Sequence, residues 1–171
     1  MNMFTMLKGL TAVAPKNDVR YYLNGIYITP TRLIATDGYM MVVVEQETAG
    51  VVEPVIVCKT DLANKLKMFN KKSELEITFV DGEPYLNEMK LNTVDGRYPD
   101  VSRVINRYES ETKSVEPIGF DLVLMAQMCK AIDTITDNKI KGALFTFYNA
   151  TSACKVEKNA VTAYLAPCRI L

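Results

Sequence analysis

Residues 18–44, DVRYYLNGIYITPTRLIATDGYMMVVV, decide how the rest of the chain is read. They predict three strands in succession. The first covers 19–28 and breaks at Thr29-Pro30-Thr31; the second, 32–36, reverses at Asp37-Gly38 into the third, 39–44. Asp-Gly between two apolar runs is a strong hairpin signal, because Gly accepts the positive φ that a tight primed turn requires. On physical grounds alone this is an antiparallel meander of the kind any soluble domain can contain.

The surrounding composition narrows the class. At 171 residues the chain can bury a real core, and 49% hydrophobic residues place it among ordinary globular proteins. Twenty basic and twenty acidic residues cancel, so any contact with nucleic acid must come from local segregation of charge. No apolar run approaches the length of a membrane span, and the first ten residues lack the basic and long apolar regions of a signal peptide, so a cytoplasmic protein is expected. The four cysteines form no CxxC pair and there is no histidine, which argues against a zinc site and removes the commonest general base. Without a glycine-rich phosphate loop or a nucleophile elbow, the expectation is a non-enzymatic protein with no cofactor and no metal.

An internal repeat organises the remainder. Val52-Glu53-Pro54-Val55-Ile56 recurs as Val115-Glu116-Pro117-Ile118-Gly119, and each copy precedes an amphipathic helix and several short strands. The first of these helices is expected at 60–70, capped by Thr60 or Asp61, with strands at 75–80, 85–86 and 89–92 and in the run to Pro99. The second is expected at 121–134, capped by Asp121, with strands at 143–149, 153–157 and 161–170. The N-terminal portion fits the same plan with its leading strand reduced, beginning with a helix over 5–14 that stops at Pro15. Three units follow, roughly 1–50, 51–105 and 114–171, with a polar linker at 106–113.

The particular residues carry a resemblance. Asp18-Val19-Arg20-Tyr21-Tyr22-Leu23-Asn24-Gly25, followed by Ala35-Thr36-Asp37-Gly38, closely resembles the middle domain of the bacterial DNA polymerase III beta sliding clamp. Val94-Asp95-Gly96-Arg97-Tyr98-Pro99-Asp100 looks like the segment leaving that domain, and Ala163-Tyr164-Leu165-Ala166-Pro167-Cys168-Arg169-Ile170-Leu171 like the clamp's last strand and tail. The resemblance implies an α+β protein with the DNA-clamp fold: three β-α-β-β-β units, antiparallel sheets, and helices facing a channel. In these terms 1–105 is a clamp domain like the middle one, and 114–171 is half a domain like the second half of the last. A bacterial clamp chain is roughly twice as long as this one, so a compact version, of a size that suggests a phage or prophage origin, is expected.

Two sets of site residues follow from the resemblance. Clamp helices face DNA, where lysines neutralise phosphates without reading sequence; the candidates here are Lys8, Lys16, Lys59, Lys65, Lys67, Lys71, Lys72 and Lys130. Arg20, Tyr21 and Tyr22 join them as rim residues able to touch DNA or stack on a base. The family's hydrophobic groove for short linear peptides carries over onto Leu23, Thr36, Gly38, Tyr39, Met40, Met41, Pro99, Val104, Tyr164, Ala166, Pro167, Cys168, Arg169 and Ile170. The family commonly has His-Arg-Leu after Asp-Gly where this chain has Tyr39-Met40-Met41, so the preferred peptide is expected to differ.

The implied function is a sliding clamp, a processivity factor that encircles duplex DNA and tethers a polymerase or other partners bearing clamp-binding peptides. The family's ring presents twelve units, which four chains of three would supply. A loader ATPase would serve to open such a ring, unless a four-part ring opens unaided. The alternative from a different class is a clamp-derived adaptor or decoy that keeps the groove and forms no ring.

Overall fold

The structure, a computed structural model, describes residues 2–104, 118–137 and 142–169. The expected linker at 106–113 lies outside these residues. So do the first three residues of the expected leading strand of the third unit, 115–117, and groove candidate Ile170.

The run Met40-Met41-Val42-Val43-Val44 forms β3 (Met40–Glu45), and all five of these residues are buried. Successive strand residues point to opposite faces, so an uninterrupted apolar run is what a strand covered on both sides needs. Its partners are β2 (Arg32–Thr36) on one edge and β10 (Val161–Leu165) on the other, both antiparallel. Outward from β2 lie β1 (Gly25–Ile28) and β4 (Val55–Cys58); outward from β10 lie β9 (Cys154–Lys158) and β8 (Leu144–Thr146). The sheet order is therefore β4-β1-β2-β3-β10-β9-β8. A second sheet contains β5 (Ile77–Val80), β6 (Glu83–Leu86) and β7 (Met89–Lys90) in sequence order.

Three helices, α1 (Met3–Val13), α2 (Lys59–Leu66) and α3 (Leu122–Thr136), cover one face of the large sheet. Val42 and Val44 of β3 join Leu7, Leu10, Leu62, Met128 and Ile135 in the core between helices and sheets. Each such residue, fully buried, contributes about 1.5–3 kcal/mol relative to exposure. The alternate residues Ile34, Met41, Val43, Ile56 and Tyr164 face the other way and form a second cluster with Leu23, Tyr98 and Tyr148. Tyr98 stacks on Tyr27 with ring centroids 4.6 Å apart, so the segment after β7 returns across the outer face of β1 and β2.

The first, second and third units are thus not separate in space. The third unit's β10 pairs with β3 of the first, and α3 packs along α1. The second unit's β4 pairs with β1 on the opposite flank. The first unit is the centre of the molecule.

Several elements differ from the sequence expectation. The first strand starts at Gly25, not at residue 19, because Asp18 and Asn24 bond to each other's polar groups and close the chain into a 3-10 turn at Tyr21–Leu23. The hairpin loop is Gly38-Tyr39, one residue later than Asp37-Gly38: Thr36 pairs with Met41, and Asp37 N–H bonds Met40 O. Gly38 has φ +90° while Tyr39 does not take positive φ, the pattern of a type II′ loop with Gly first. Helix α2 stops at Leu66, and Met68 and Phe69 follow in tighter i→i+3 turns. Its cap position is Cys58, without a side-chain bond; Asp61 instead accepts Lys65 Nζ (2.6 Å) and Asn92 N–H (2.8 Å). β4 begins three residues later than the repeat suggested, the run to Pro99 forms one isolated bridge at Thr93, and the last strand ends at Leu165. Asp121 caps α3 as expected, accepting Val123 and Leu124 N–H.

The α1–α3 contact leaves no room for a side chain at Gly9. A Cβ there would sit 2.2 Å from Ile135 Cγ1 and 3.0 Å from Ala131 O. Gly9→Ala would gain helix propensity of about 1 kcal/mol, yet overpacking costs about 1–3 kcal/mol. A urea melt is expected to show net destabilisation, relieved in the double variant with Ile135→Ala.

Candidate functional site

The hairpin loop between β2 and β3 is built by local chemistry. The Asp37 carboxylate accepts Tyr39 N–H (2.8 Å) and Met40 N–H (2.9 Å), while Thr36 Oγ1 donates to Met40 O (2.6 Å) and accepts Gly38 N–H (3.0 Å). Arg20 braces this loop from outside. Its guanidinium makes a two-pronged pair with Asp18, Nε to Oδ1 at 2.9 Å and Nη2 to Oδ2 at 2.8 Å, and Nη2 also donates to Asp37 O at 2.8 Å. A Cβ at Gly38 would fall 2.3 Å from Arg20 Nη1 and displace the guanidinium, while the φ of +90° is what calls for Gly. The Arg20 hydrogen bonds hold the Asp18 carboxyl down at about 2, below the usual carboxylate range.

Beside this brace lies a cleft of about 380 Å³. Its walls are Leu23 before β1, Thr36 and Gly38 to Met41 around the hairpin, Pro99, Val101 and Val104 from the segment after β7, and Ala153, Tyr164 and Ala166 from the third unit. Ala166 N–H donates to Tyr39 O (2.9 Å), which ties the end of β10 to the hairpin loop. The cleft therefore sits over the β3–β10 joint, on the sheet face opposite the helices. Leu23, Met41 and Tyr164 form its buried floor, and Tyr39 is an open wall at 62% exposure. Such a surface, apolar with a few hydrogen-bonding groups at its edge, suits a short segment with two or three apolar side chains.

Ten of the groove candidates meet here: Leu23, Thr36, Gly38, Tyr39, Met40, Met41, Pro99, Val104, Tyr164 and Ala166. Pro167, Cys168 and Arg169 do not line it, because the chain turns away after Ala166 and Cys168 N–H bonds Gly119 O. Arg20 and Tyr22, grouped by sequence with possible DNA contacts, line the cleft instead. Asp100, Val101 and Ala153 also line it and were missed; the proximity of Asp100 and Val101 to Pro99 was the available signal, whereas Ala153 carries none.

The lysines are placed very differently from one another. Lys59 reaches back to donate to Ala14 O, and burial followed by the nearby Lys16 charge lowers its pKa. Lys65 pairs with Asp61, and Lys71 pairs with Asp137 at the end of α3 (2.7 Å). Lys67 donates to Asn64 Oδ1, and Lys8 lies 5.8 Å above the Phe4 ring. Among the described residues Lys8, Lys16, Lys67, Lys72 and Lys130 are exposed and carry no ion pair. Tyr21 is 57% exposed and meets Tyr22 edge-on at 5.7 Å. Among the described residues no cluster of His, Cys, Asp or Glu is arranged to hold a metal, and no helix is long and apolar enough to cross a membrane.

Comparison with known proteins defines the class first: this is the sliding-clamp fold. The Caulobacter crescentus beta sliding clamp, solved with PEG bound to a putative beta-motif tethering region, superposes with TM-score 0.76 at 19% identity, over 98% of this chain and 63% of that one. The DNA polymerase III beta subunit of Thermotoga maritima gives TM-score 0.72 at 14% identity, over 99% and 64%. A Bartonella birtlesii DnaN sliding clamp bound to griselimycin gives 0.70 at 17% identity, over 98% and 64%. In sequence, the beta sliding clamp of Vibrio cholerae serotype O1 is 30% identical over 106 residues, 56% of this chain and 29% of that protein. No family model matches. The chain is thus similar in fold to the bacterial DNA polymerase III beta sliding clamps and similar in sequence to one of them over 106 residues, and it spans under two thirds of the length of the clamps it matches.

The Asp18 titration reports the brace directly. Its folded pKa lies below the unfolded value, so its contribution to stability is present above about pH 4 and is lost as pH falls towards 2. In an NMR titration, Arg20→Ala is expected to return the Asp18 midpoint towards 3.8 and to broaden the Gly38 and Tyr39 amide signals.

Proposed function

We propose that this chain is a compact sliding clamp, which encircles duplex DNA without sequence preference as a homo-oligomeric ring and tethers partner proteins by short peptides bound in the cleft. The observation that carries this reading is the convergence of three distant segments, around residues 20–41, 99–104 and 153–166, into one cleft over the β3–β10 joint. A single hairpin is common, but three segments that meet at one apolar surface and match the family in order are not.

The mechanism is topological rather than catalytic. A closed ring does not dissociate from an unbroken duplex, so a partner held weakly in the cleft remains at high effective concentration near DNA. The helical layer supplies the inner surface, where Lys8, Lys16, Lys67, Lys72 and Lys130 are available for phosphates. Weak, diffuse attraction of this kind permits sliding. Two domain-like parts, 1–105 and 114–171, provide three of the units that a ring of twelve requires, so four chains close it; a loader ATPase would act on that ring. The exposed wall at Tyr39 and the Met41 floor give the cleft its own peptide preference, since a thioether repacks around varied side chains.

Two experiments test the two halves. Titration of a fluorescent peptide bearing paired apolar residues is expected to show saturable binding, weakened about tenfold or more by Tyr39→Ala and by Val104→Asp, both at exposed walls of the cleft. Unchanged affinity in both would remove the cleft from the account. For DNA, the combined Lys8, Lys67, Lys72 and Lys130→Ala variant is expected to reduce retention on circular duplex and to flatten its salt dependence, by about 0.9 in log–log slope per lost phosphate contact. Peptide binding without any retention on circular DNA, in the wild type, would leave the adaptor reading instead.

A further inference from the structure

A second cleft, larger than the first at about 1220 Å³, opens on the same sheet face over β4, β1 and β2. The two clefts share Pro99, Asp100 and Val101, so the segment that returns across the sheet after β7 is the ridge between them. Val94 N–H still bonds Ile56 O at the β4 edge (2.8 Å); beyond it the chain leaves that edge through Gly96, at φ +154°. Tyr98 then fixes the ridge, stacked on Tyr27 with the two rings 6° from parallel.

The floor of the second cleft is apolar and aromatic. Ile34 and Ile56 are buried beneath it, and Tyr27 and Val94 are half-buried. Its rim is charged, and part of that charge is already matched: Arg32 with Glu45, Glu83 with Lys90 and Asp100 with Arg103. Glu53, Asp95 and Arg97 are exposed and carry no ion pair among the described residues. The unmatched remainder is therefore two carboxylates against one guanidinium, above an aromatic floor. A lysine or arginine suits such a surface, since its aliphatic stem lies on apolar groups while its head reaches outward to charge. A cation over a tyrosine ring is attracted as well.

We infer that the second cleft receives a basic flank of the same peptide whose apolar residues occupy the first. Glu53 and Asp95 accept the lysine or arginine head, and the Tyr27 ring lies under its stem. The inference rests on the peptide-binding reading above and adds a charge requirement to it. Only one run of chain separates the clefts, and an extended peptide covers roughly 3.3–3.6 Å per residue, so about three to five residues cross the ridge. Exposed ion pairs contribute little each, so the flank adjusts affinity and selects among peptides, while the apolar residues supply most of the binding.

Fluorescence anisotropy with the full chain tests it. A labelled peptide bearing the apolar pair alone is compared with peptides that add a lysine triplet or a glutamate triplet, through a Gly-Ser spacer, before or after the pair. At low salt the lysine triplet on one side is expected to tighten binding about fivefold, and high salt is expected to remove that gain. Glu53→Gln combined with Asp95→Asn is expected to abolish the gain and to leave the affinity of the pair alone unchanged, which also shows that the variant is folded. Arg97→Gln is expected to keep or enlarge the gain. Lysine triplets that add nothing on either side, a gain that survives in the Glu53 and Asp95 double variant, or a gain from the glutamate triplet instead each overturns the inference and leaves the peptide cleft standing. A pair that does not bind at all overturns the peptide reading and this inference with it.

Discussion

The joint between β3 and β10 is the interaction on which the rest of the molecule depends. Five paired positions link a strand near the start of the chain to one near its end. Because β3 is central and covered on both faces, its side chains knit together two cores that would otherwise be separate. Val42 and Val44 look towards the helices, and Met41 and Val43 look towards the outer cluster. Parting the two strands would expose both faces at once. The tight α1–α3 contact at Gly9 reinforces the same union from the helical side.

The cleft is a product of that joint. No unit has it alone: the first unit gives the hairpin loop and Leu23, the second gives the segment that returns over the sheet, and the third gives Tyr164 and Ala166. The Asp18–Arg20 pair then holds the hairpin loop in one position through Asp37 O. Rigid placement would favour the peptide capture proposed for this cleft, since a wall already ordered does not lose freedom on binding. The helices and their unpaired lysines occupy the opposite face, so in the proposed clamp role peptide and DNA would be held on different sides of one sheet without competing for the same surface.

Much of the architecture was legible because it is encoded locally. Strand β2 was read with its observed limits, and the Asp121 cap of α3 followed from spacing alone. The first Val-Glu-Pro of the recurrence directly precedes β4, which starts at Val55, after the motif. The errors have specific causes. Asp18-Val19-Arg20-Tyr21-Tyr22 has strand-like residues, but hydrogen bonds between Asp18 and Asn24 and the Arg20 brace win over propensity and curl it into a turn. Asp37-Gly38 suggested the loop centre, yet the Asp37 side chain caps the Tyr39 and Met40 amides, which moves the centre one residue on.

The sequence by itself determined the units, their strand and helix order, and the residues whose match in type and order points to a clamp, because these depend on period and on turn chemistry between near neighbours. Only the tertiary structure decided which edges meet. Pairing β10 with β3 rather than leaving either edge open is a choice among strands of similar apolar character, settled by simultaneous burial of both sheet faces and by the fit of α3 against Gly9. That choice brought Arg20, Tyr22 and Ala153 into the cleft and sent Pro167, Cys168 and Arg169 away from it. It also fixed which lysines are spent on neighbours and which remain exposed, something no count of charges along the chain reveals.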